Sequence, residues 1–374
     1  MPGNSVLNVK AHANPSGATK AADLSRPGAA AVLLALTAAL LVVVVLGATF
    51  GSVAISPPAL GEMTLNRLGL THFAVTWRPQ DAVILFDLRL PRVVGAALVG
   101  LALAEAGTLF QGLLRNPLAD PFVIGTSGGA MLGAVVGILL SAPLGAGVAL
   151  AGFGIVPLTA FVGALLSMAL VYQLARVGGR TPVVTLLLAG FAVSSVLSYT
   201  VSFLLILNDQ LQLNLPRIYG WLLGGIDVNT WSQLFIVGPV IGVTAIAAVS
   251  LANGLNALSL GEEMAERLGI DVERDKRLII VAGSLLTATA VSIGGLIGFV
   301  GLIVPHILRL LCGPDNRLLL PASALTGAAF MVLADLLART ILSPLEIPVG
   351  IITAFLGGPY FLYLLRKNRR EYRM

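Results

Sequence analysis

"PFVIGTSGGAMLGAVVGILLSAPLGAGVALAGFGIVPLTAFVGALLSMALVYQLA", residues 121–175, lies between Asp120 and Arg176 and holds no charged side chain. About 20 consecutive apolar residues cross a bilayer as a helix, so a run of this length holds two crossings with a turn between them. Uncharged runs recur at residues 181–208, 228–261, 278–305 and 347–365. The whole chain is 57% hydrophobic and 11% charged, whereas soluble domains carry about 25% charged residues. This chain lacks the polar surface of a soluble protein. Segments of about ten alternating residues, the mark of a membrane β-barrel, are absent.

The reading is therefore all-α: a polytopic membrane protein of about ten transmembrane helices. The spans fall at residues 29–50, 90–113, 122–141, 148–173, 182–207, 230–252, 278–296, 299–311, 318–339 and 348–365. Residues 1–27 are rich in Ala, Gly, Ser and Pro without helical periodicity and read as a disordered tail. The first apolar run is too long for a signal-peptide core and reads as the first helix. Cys312 is the single cysteine, so no intramolecular disulfide is available.

Orientation follows from the cations. With the N-terminus inside and ten alternating spans, only Arg67, Arg78, Arg89, Arg92, Arg217 and Arg339 of the 23 Lys and Arg fall outside, leaving 17 inside. That asymmetry satisfies the positive-inside rule and puts both termini in the cytoplasm, including the basic tail at 367–374. Arg89, Arg92 and Arg339 run against the bias at the outer mouth. Arg89 and Arg92 are three apart and share a face on a helix. They either snorkel to headgroups or pair with Asp87 and Glu346, or else they form a cationic ring that docks an acidic partner.

Two inner features stand out. In "NGLNALSLGEEMAERLGIDVERDKRL", residues 253–278, Ser259 and Glu262 have capping-box spacing, Leu260, Met264 and Leu268 recur at helical spacing, and Gly269 stands at a C′ position. The spacing predicts a short amphipathic helix, with Asp271 capping a second helix that enters the membrane. Glu262, Glu263 and Glu266 on its polar face suit a protein partner better than an anionic leaflet. In "LLRNPLADPFVIG", residues 113–125, Pro117 and Pro121 force the chain out of a helix. Irregular backbone at that depth needs protein or a water-filled cavity beside it, so Asn116 and Leu118 either lie at the inner end of a pathway or form an ordinary turn.

A shift of 188 residues brings Arg89 onto Arg277, Gly95 onto Gly283, Gly107 onto Gly295, Pro117 onto Pro305 and Gly125 onto Gly313. Five spans per half is an odd number, so the second half is inverted relative to the first. Small residues such as Gly95, Gly100, Ala104 and Gly107 allow close helix approach. Glu105 and Asp335 fall inside spans, where carboxylates are costly and point to function or to a partner. Asp335 and Arg339 are one turn apart and form a structural pair. Glu105 has no partner nearby in sequence; it either lines a pathway or is protonated against a neighbouring helix. His306 reads as an interface histidine, and no second His or Cys stands at ligand spacing, so no metal site follows.

Taken together, "LRLPRVVGAALVGLALAEAG", Gln111, "RNPLADPFVIGTSGGA", "LLLAG" (186–190), "GEEMAERLG", "GFVGLIVPHILR", "LLLPASALTGA", "ADLLAR" and "EIPVGIITAFLGGPYFLYLL" resemble the FecCD-type permeases. These are the membrane subunits of bacterial ABC importers for ferric siderophores, haem and cobalamin. The resemblance covers nearly everything from about residue 85 to residue 366, in the family's order. It implies a permease domain at 28–366 that pairs with a second permease copy, two ATP-binding subunits below and a periplasmic substrate-binding protein above, in the inner membrane, with no role for nucleic acid.

By the same resemblance, Arg89, Arg92 and Arg339 dock the binding protein. Ser259, Leu260, Gly261, Glu262, Glu263, Met264, Ala265, Glu266, Arg267, Leu268 and Gly269, within a cytoplasmic loop at 253–277, form the helix that seats in the ATPase. Asn116, Leu118, Pro182 and Val183 form a cytoplasmic gate. Glu105 departs from the family's small or weakly polar residue and is the candidate pathway position. The chain has no G-x-x-x-x-G-K-[ST] stretch, so ATP and Mg would be bound by partner subunits and this chain would not itself be an enzyme. Haem or a ferric siderophore is the expected cargo. The alternatives are cobalamin, or a proton-coupled secondary transporter in which Glu105 and Asp335 are relay carboxylates.

Overall fold

The computed structural model describes residues 28–51, 53, 55–75, 77–144, 153–228 and 230–367. The tail at 1–27 and residues 368–374 of the basic tail lie outside the described residues. In chain order the helices are α1 (Ala29–Thr49), α2 (Pro57–Arg67), α3 (Pro79–Val83), α4 (Leu90–Leu113), α5 (Thr126–Leu144), α6 (Ile155–Ala175), α7 (Val183–Leu207) and α8 (Asp209–Leu213). They continue with α9 (Leu215–Leu222), α10 (Trp231–Ser250), α11 (Ala252–Ser259), α12 (Glu262–Arg267), α13 (Val272–Gly294), α14 (Val300–Cys312), α15 (Asn316–Thr340) and α16 (Val349–Lys367). Among the described residues there is no β-strand; Val177 and Arg180 form an isolated bridge.

Seven helices are long and apolar enough to cross a membrane, and three shorter apolar ones, residues 126–141, 300–312 and 349–363, complete a set of ten. Each of the ten expected spans meets one of these helices. The chief difference is at α4, whose helix does not begin at residue 90. It runs continuously from Pro79, through a π-helical turn at Ile84–Arg89, so residues 79–113 form one long element.

α4 and α13 form the centre of the bundle, each with most of its apolar window buried, while the α1 window buries none. Close packing around α4 depends on missing side chains. A Cβ on Gly100 would collide with the Gly327 carbonyl of α15, and one on Gly107 with the Gly301 carbonyl of α14. Without a hydrophobic drive between helices in lipid, such backbone approach supplies much of the attraction. Outward faces of α7 (Leu188, Phe191, Tyr199, Phe203) and α16 (Phe355, Leu362) remain exposed and apolar, as lipid or a second membrane chain requires.

Two departures from the expected local structure occur on the loop at 253–277. Ser259 is not an N-cap: it ends α11, and its hydroxyl donates to the Asn256 carbonyl at 2.6 Å. Glu262 does not complete a capping box either, because its carboxylate is drawn to Lys276. The N-cap of α12 is Gly261 at φ 110°, a backbone conformation that glycine adopts without strain. The C-terminal expectations match: Gly269 has φ 82°, its N–H donates to the Glu266 carbonyl and that of Ile270 to Ala265, which is a Schellman motif. Asp271 caps α13 by accepting from the Arg274 N–H at 3.0 Å.

Candidate functional site

Functional side chains gather at the two ends of the bundle. At one end, α1 finishes with no basic residue in its last turn, and the carbonyls of Gly47, Ala48 and Thr49 take their donors from outside the helix, that of Thr49 in part from the Ile55 N–H at 3.2 Å. The last carbonyls of any helix lack intrahelical donors and carry the negative end of its dipole. Arg89 donates from Nη1 to the oxygens of Ala48 (2.9 Å) and Thr49 (3.1 Å), and from Nη2 to Val53 (2.6 Å). Arg339 Nη2 donates to Gly47 at 3.4 Å. Two arginines from other elements thus cap α1.

Arg92 points elsewhere. Its Nε donates to Asp335 Oδ1 at 3.0 Å and its Nη1 to Glu346 Oε2 at 2.8 Å, and Arg339 Nε stands 2.9 Å from Asp335 Oδ2 on the same helix. Asp335 is fully buried between these two cations. The pairing with Arg339 is the one that their spacing of one helical turn predicts. Arg89 closes the π-helical turn and reaches α1, while Arg92 reaches α15, and Arg339 joins the two through Gly47 of α1 and Asp335. Arg89 and Arg339 are 5% and 8% exposed, so of the three arginines expected at this mouth Arg92, paired with Glu346, is the one that presents charge to solvent.

At the other end, α4 stops at Leu113 and Arg115 turns the chain at φ 49°. Asn116 Oδ1 accepts from the Leu118 N–H at 3.0 Å, and both residues face outward at least in part. Sequence reasoning missed what holds this turn. Gln111, buried on α4, donates from Nε2 to Gly301 (3.2 Å), Leu302 (3.1 Å) and Ala119 (3.4 Å), and accepts from Arg309 Nη1 at 2.8 Å. Pro305 has no N–H to give the Gly301 carbonyl one turn back, so Gln111 supplies the missing donor.

Beside that turn, Pro182 caps α7 and Val183 begins it. Pro182 is exposed and Val183 half-buried. α12 projects next to them, with Leu260, Met264 and Leu268 exposed and only Ala265 fully buried. The helix thus carries an apolar stripe that faces solvent beside the acidic Glu262, Glu263 and Glu266. Beneath it, Asn253 and Asn256 tie α11 to the start of α15 through Arg317 (2.7 Å), Asp315 (2.7 Å) and Asn316 (2.8 Å). The Arg317 backbone N–H and the Asn256 side-chain amide, both donating to it, hold the Asp315 carboxyl below its usual range.

Glu105 lies in mid α4, 1% exposed, with Oε2 lacking a hydrogen-bond partner. His306 is buried on α14 and meets the Tyr360 ring of α16 edge-on at 6.4 Å. Among the described residues no group of three His, Cys, Asp or Glu could hold a metal.

The model of the FecCD transport family matches residues 39–367. This chain belongs to the FecCD family. The cobalamin import system permease of Halobacterium salinarum is 47% identical over 77% of this chain and 75% of that protein. The hemin transport system permease of Yersinia pestis is 39% identical over 84% of this chain and 93% of that one. A solved structure, an inward-facing conformation of a metal-chelate type ABC transporter, superposes with a TM-score of 0.73 at 31% identity, covering 91% of this chain and 99% of that chain. This FecCD protein is accordingly a multi-pass permease of an ABC importer, of the type that carries iron chelates, haem or cobalamin.

Proposed function

We propose that this chain is the membrane subunit of an ATP-driven importer that passes a bulky iron complex, haem or a ferric siderophore, from a periplasmic binding protein to the cytoplasm. It works as a homodimer in a bacterial inner membrane, with both termini cytoplasmic, and its ATP and Mg are bound by two separate subunits. The observation that carries this reading is the exposed apolar stripe Leu260, Met264 and Leu268 on a helix that is otherwise acidic. A helix presented in this way suits a cleft on a second protein.

At the opposite end, Arg92 with Glu346 forms the docking contact for the binding protein. Arg89 and Arg339 act from beneath it, holding α1 and Asp335 so that Arg92 keeps its place. Asn116, Leu118, Pro182 and Val183 close the inner end of the pathway, and Glu105 lies on it. ATP-driven closure below shifts the permease between its two access states, because the ATP-binding subunits hold those states with different affinity.

Cobalamin is the second cargo supported by a specific observation, the 47% identity to a cobalamin import permease. Proteoliposomes holding this chain with its ATP-binding and substrate-binding partners decide between them. Uptake of haem or a ferric siderophore that needs internal ATP and both partners is the expected result; ATP-dependent uptake of cobalamin alone selects the second reading. Uptake by the chain alone, driven by a proton gradient, rejects both.

A further inference from the structure

Lys276 is a buried cation that neither docking nor gating has used. It sits on α13, 2% exposed, and all three of its ammonium protons are accounted for. Nζ donates to Glu262 Oε2 at 2.7 Å, to Glu273 Oε1 at 3.0 Å and to the Thr181 carbonyl at 3.3 Å. The second oxygen of Glu273 accepts from the Thr181 N–H at 3.1 Å. Thr181 is thus held by both its backbone groups, and it directly precedes Pro182, the cap of α7.

We infer that Lys276, with Glu262 and Glu273, is a transmission node: it makes the gate segment at 181–183 follow the coupling helix α12. Glu262 belongs to the first turn of α12 and Thr181 to the loop before α7, and in sequence they are 81 residues apart. Lys276 is the one atom group that touches both among the described residues. A three-donor ammonium that satisfies acceptors on three elements cannot follow one without dragging the others, since each orphaned contact leaves a desolvated charge or dipole.

The mounting of α12 favours motion at this place. Its entry is a single glycine hinge, Gly261, its stripe of Leu260, Met264 and Leu268 stays largely exposed, and the Glu262–Lys276 bridge is a polar tie between α12 and α13. Thr181 is clasped from α13 at both backbone groups, its N–H donating to Glu273 and its carbonyl accepting from Lys276. A push on α12 therefore reaches the loop before α7 through one ion pair, Glu262–Lys276, and then the backbone hydrogen bonds of Thr181.

The inference rests on the reading of α12 as the seat of an ATP-binding subunit, and its test separates the two. In the full chain in detergent, amide hydrogen exchange is followed in the peptide spanning residues 176–186 for wild type, Glu262→Gln and Lys276→Met. Glu262→Gln alters only α12, yet exchange at Thr181 should quicken roughly fivefold, as expected when a coupling contact is lost. Exchange that quickens in α12 alone and stays at the wild-type rate at 181–186 overturns the node. Glu262 and Glu273 keep 37% and 26% side-chain exposure, so water can solvate them and Lys276→Met is expected to fold.

In the assembled transporter, Lys276→Met should still co-purify with the ATP-binding subunit while cargo moved per ATP hydrolysed falls roughly tenfold. An unchanged ratio overturns the node. If the wild-type chain itself recruits no ATP-binding subunit, the importer reading fails, and the exchange experiment alone decides the coupling between α12 and Thr181.

Discussion

Gln111 Nε2 lies 3.2 Å from the carbonyl oxygen of Gly301, the acceptor that Pro305 leaves without an intrahelical donor. One glutamine on α4 thereby repairs the proline break in α14 and, through Ala119, anchors the turn carrying Asn116 and Leu118. Gln111→Leu should cost about 2 kcal/mol, because a buried carbonyl and the Arg309 guanidinium lose their partners together. Pro305→Ala restores an N–H at the position that faces Gly301. The double variant should recover part of the lost thermal stability in detergent, and a strictly additive loss would show that the proline's orphan is not what Gln111 serves.

Asp335 is the single anion between Arg92 and Arg339. Removing it leaves Arg339, 8% exposed, as an unpaired buried cation. Asp335→Ala should destabilise the chain by about 3–5 kcal/mol, and Asp335→Asn by less, since an amide still offers an acceptor oxygen. Thermal unfolding of the purified variants checks this. Wild-type stability in Asp335→Ala would mean that the cluster is held by something other than charge.

How far the chain can be read without coordinates differs by element. The ten spans were legible because each is an apolar run, seven of them without a charged side chain, and Asp335–Arg339 was legible because one helical turn separates the pair. Gly269 and Asp271 showed themselves through local capping chemistry. Ser259 and Glu262 misled for an equally local reason: S-x-x-E spacing marks a capping box only when the glutamate is free, and here Lys276, on another helix, takes it. Nor could spacing show that Arg89 reaches back to Ala48, or that Arg92 reaches forward to Asp335, 243 residues away. The short helices α2, α8 and α9 escaped notice because pieces of 5 to 11 residues carry too few turns for periodicity to appear.

The two arginines flanking Pro91 should separate cleanly in experiment. Arg89→Gln leaves Ala48, Thr49 and Val53 short of donors and should lower stability by about 2 kcal/mol with little direct effect on the binding protein. Arg92 keeps 22% side-chain exposure. Arg92→Gln should weaken capture of the binding protein roughly tenfold at low salt, with the difference shrinking as ionic strength rises. Titrating immobilised binding protein with each variant at two salt concentrations measures both effects. Equal losses from the two variants would mean that Arg89 leaves its carbonyls to meet the partner.

Gly269 and Gly261 bracket α12 with φ values of 82° and 110°. A Cβ at Gly269 would meet no atom within 4 Å, so substitution there tests backbone conformation without a clash. Gly269→Ala should cost about 1 kcal/mol for the left-handed conformation, and Gly269→Asn less, because asparagine tolerates that region. The cost falls on the Schellman turn that fixes the angle between α12 and α13, so it should appear as a few-fold weaker association with the ATP-binding subunit and leave capture of the binding protein at the far end untouched. Affinity of the purified subunit for wild type, Gly269→Asn and Gly269→Ala should decline in that order. If alanine binds as well as glycine, the angle set by this turn has no bearing on docking, and the exposed stripe of Leu260, Met264 and Leu268 must find its partner regardless of how α12 is mounted.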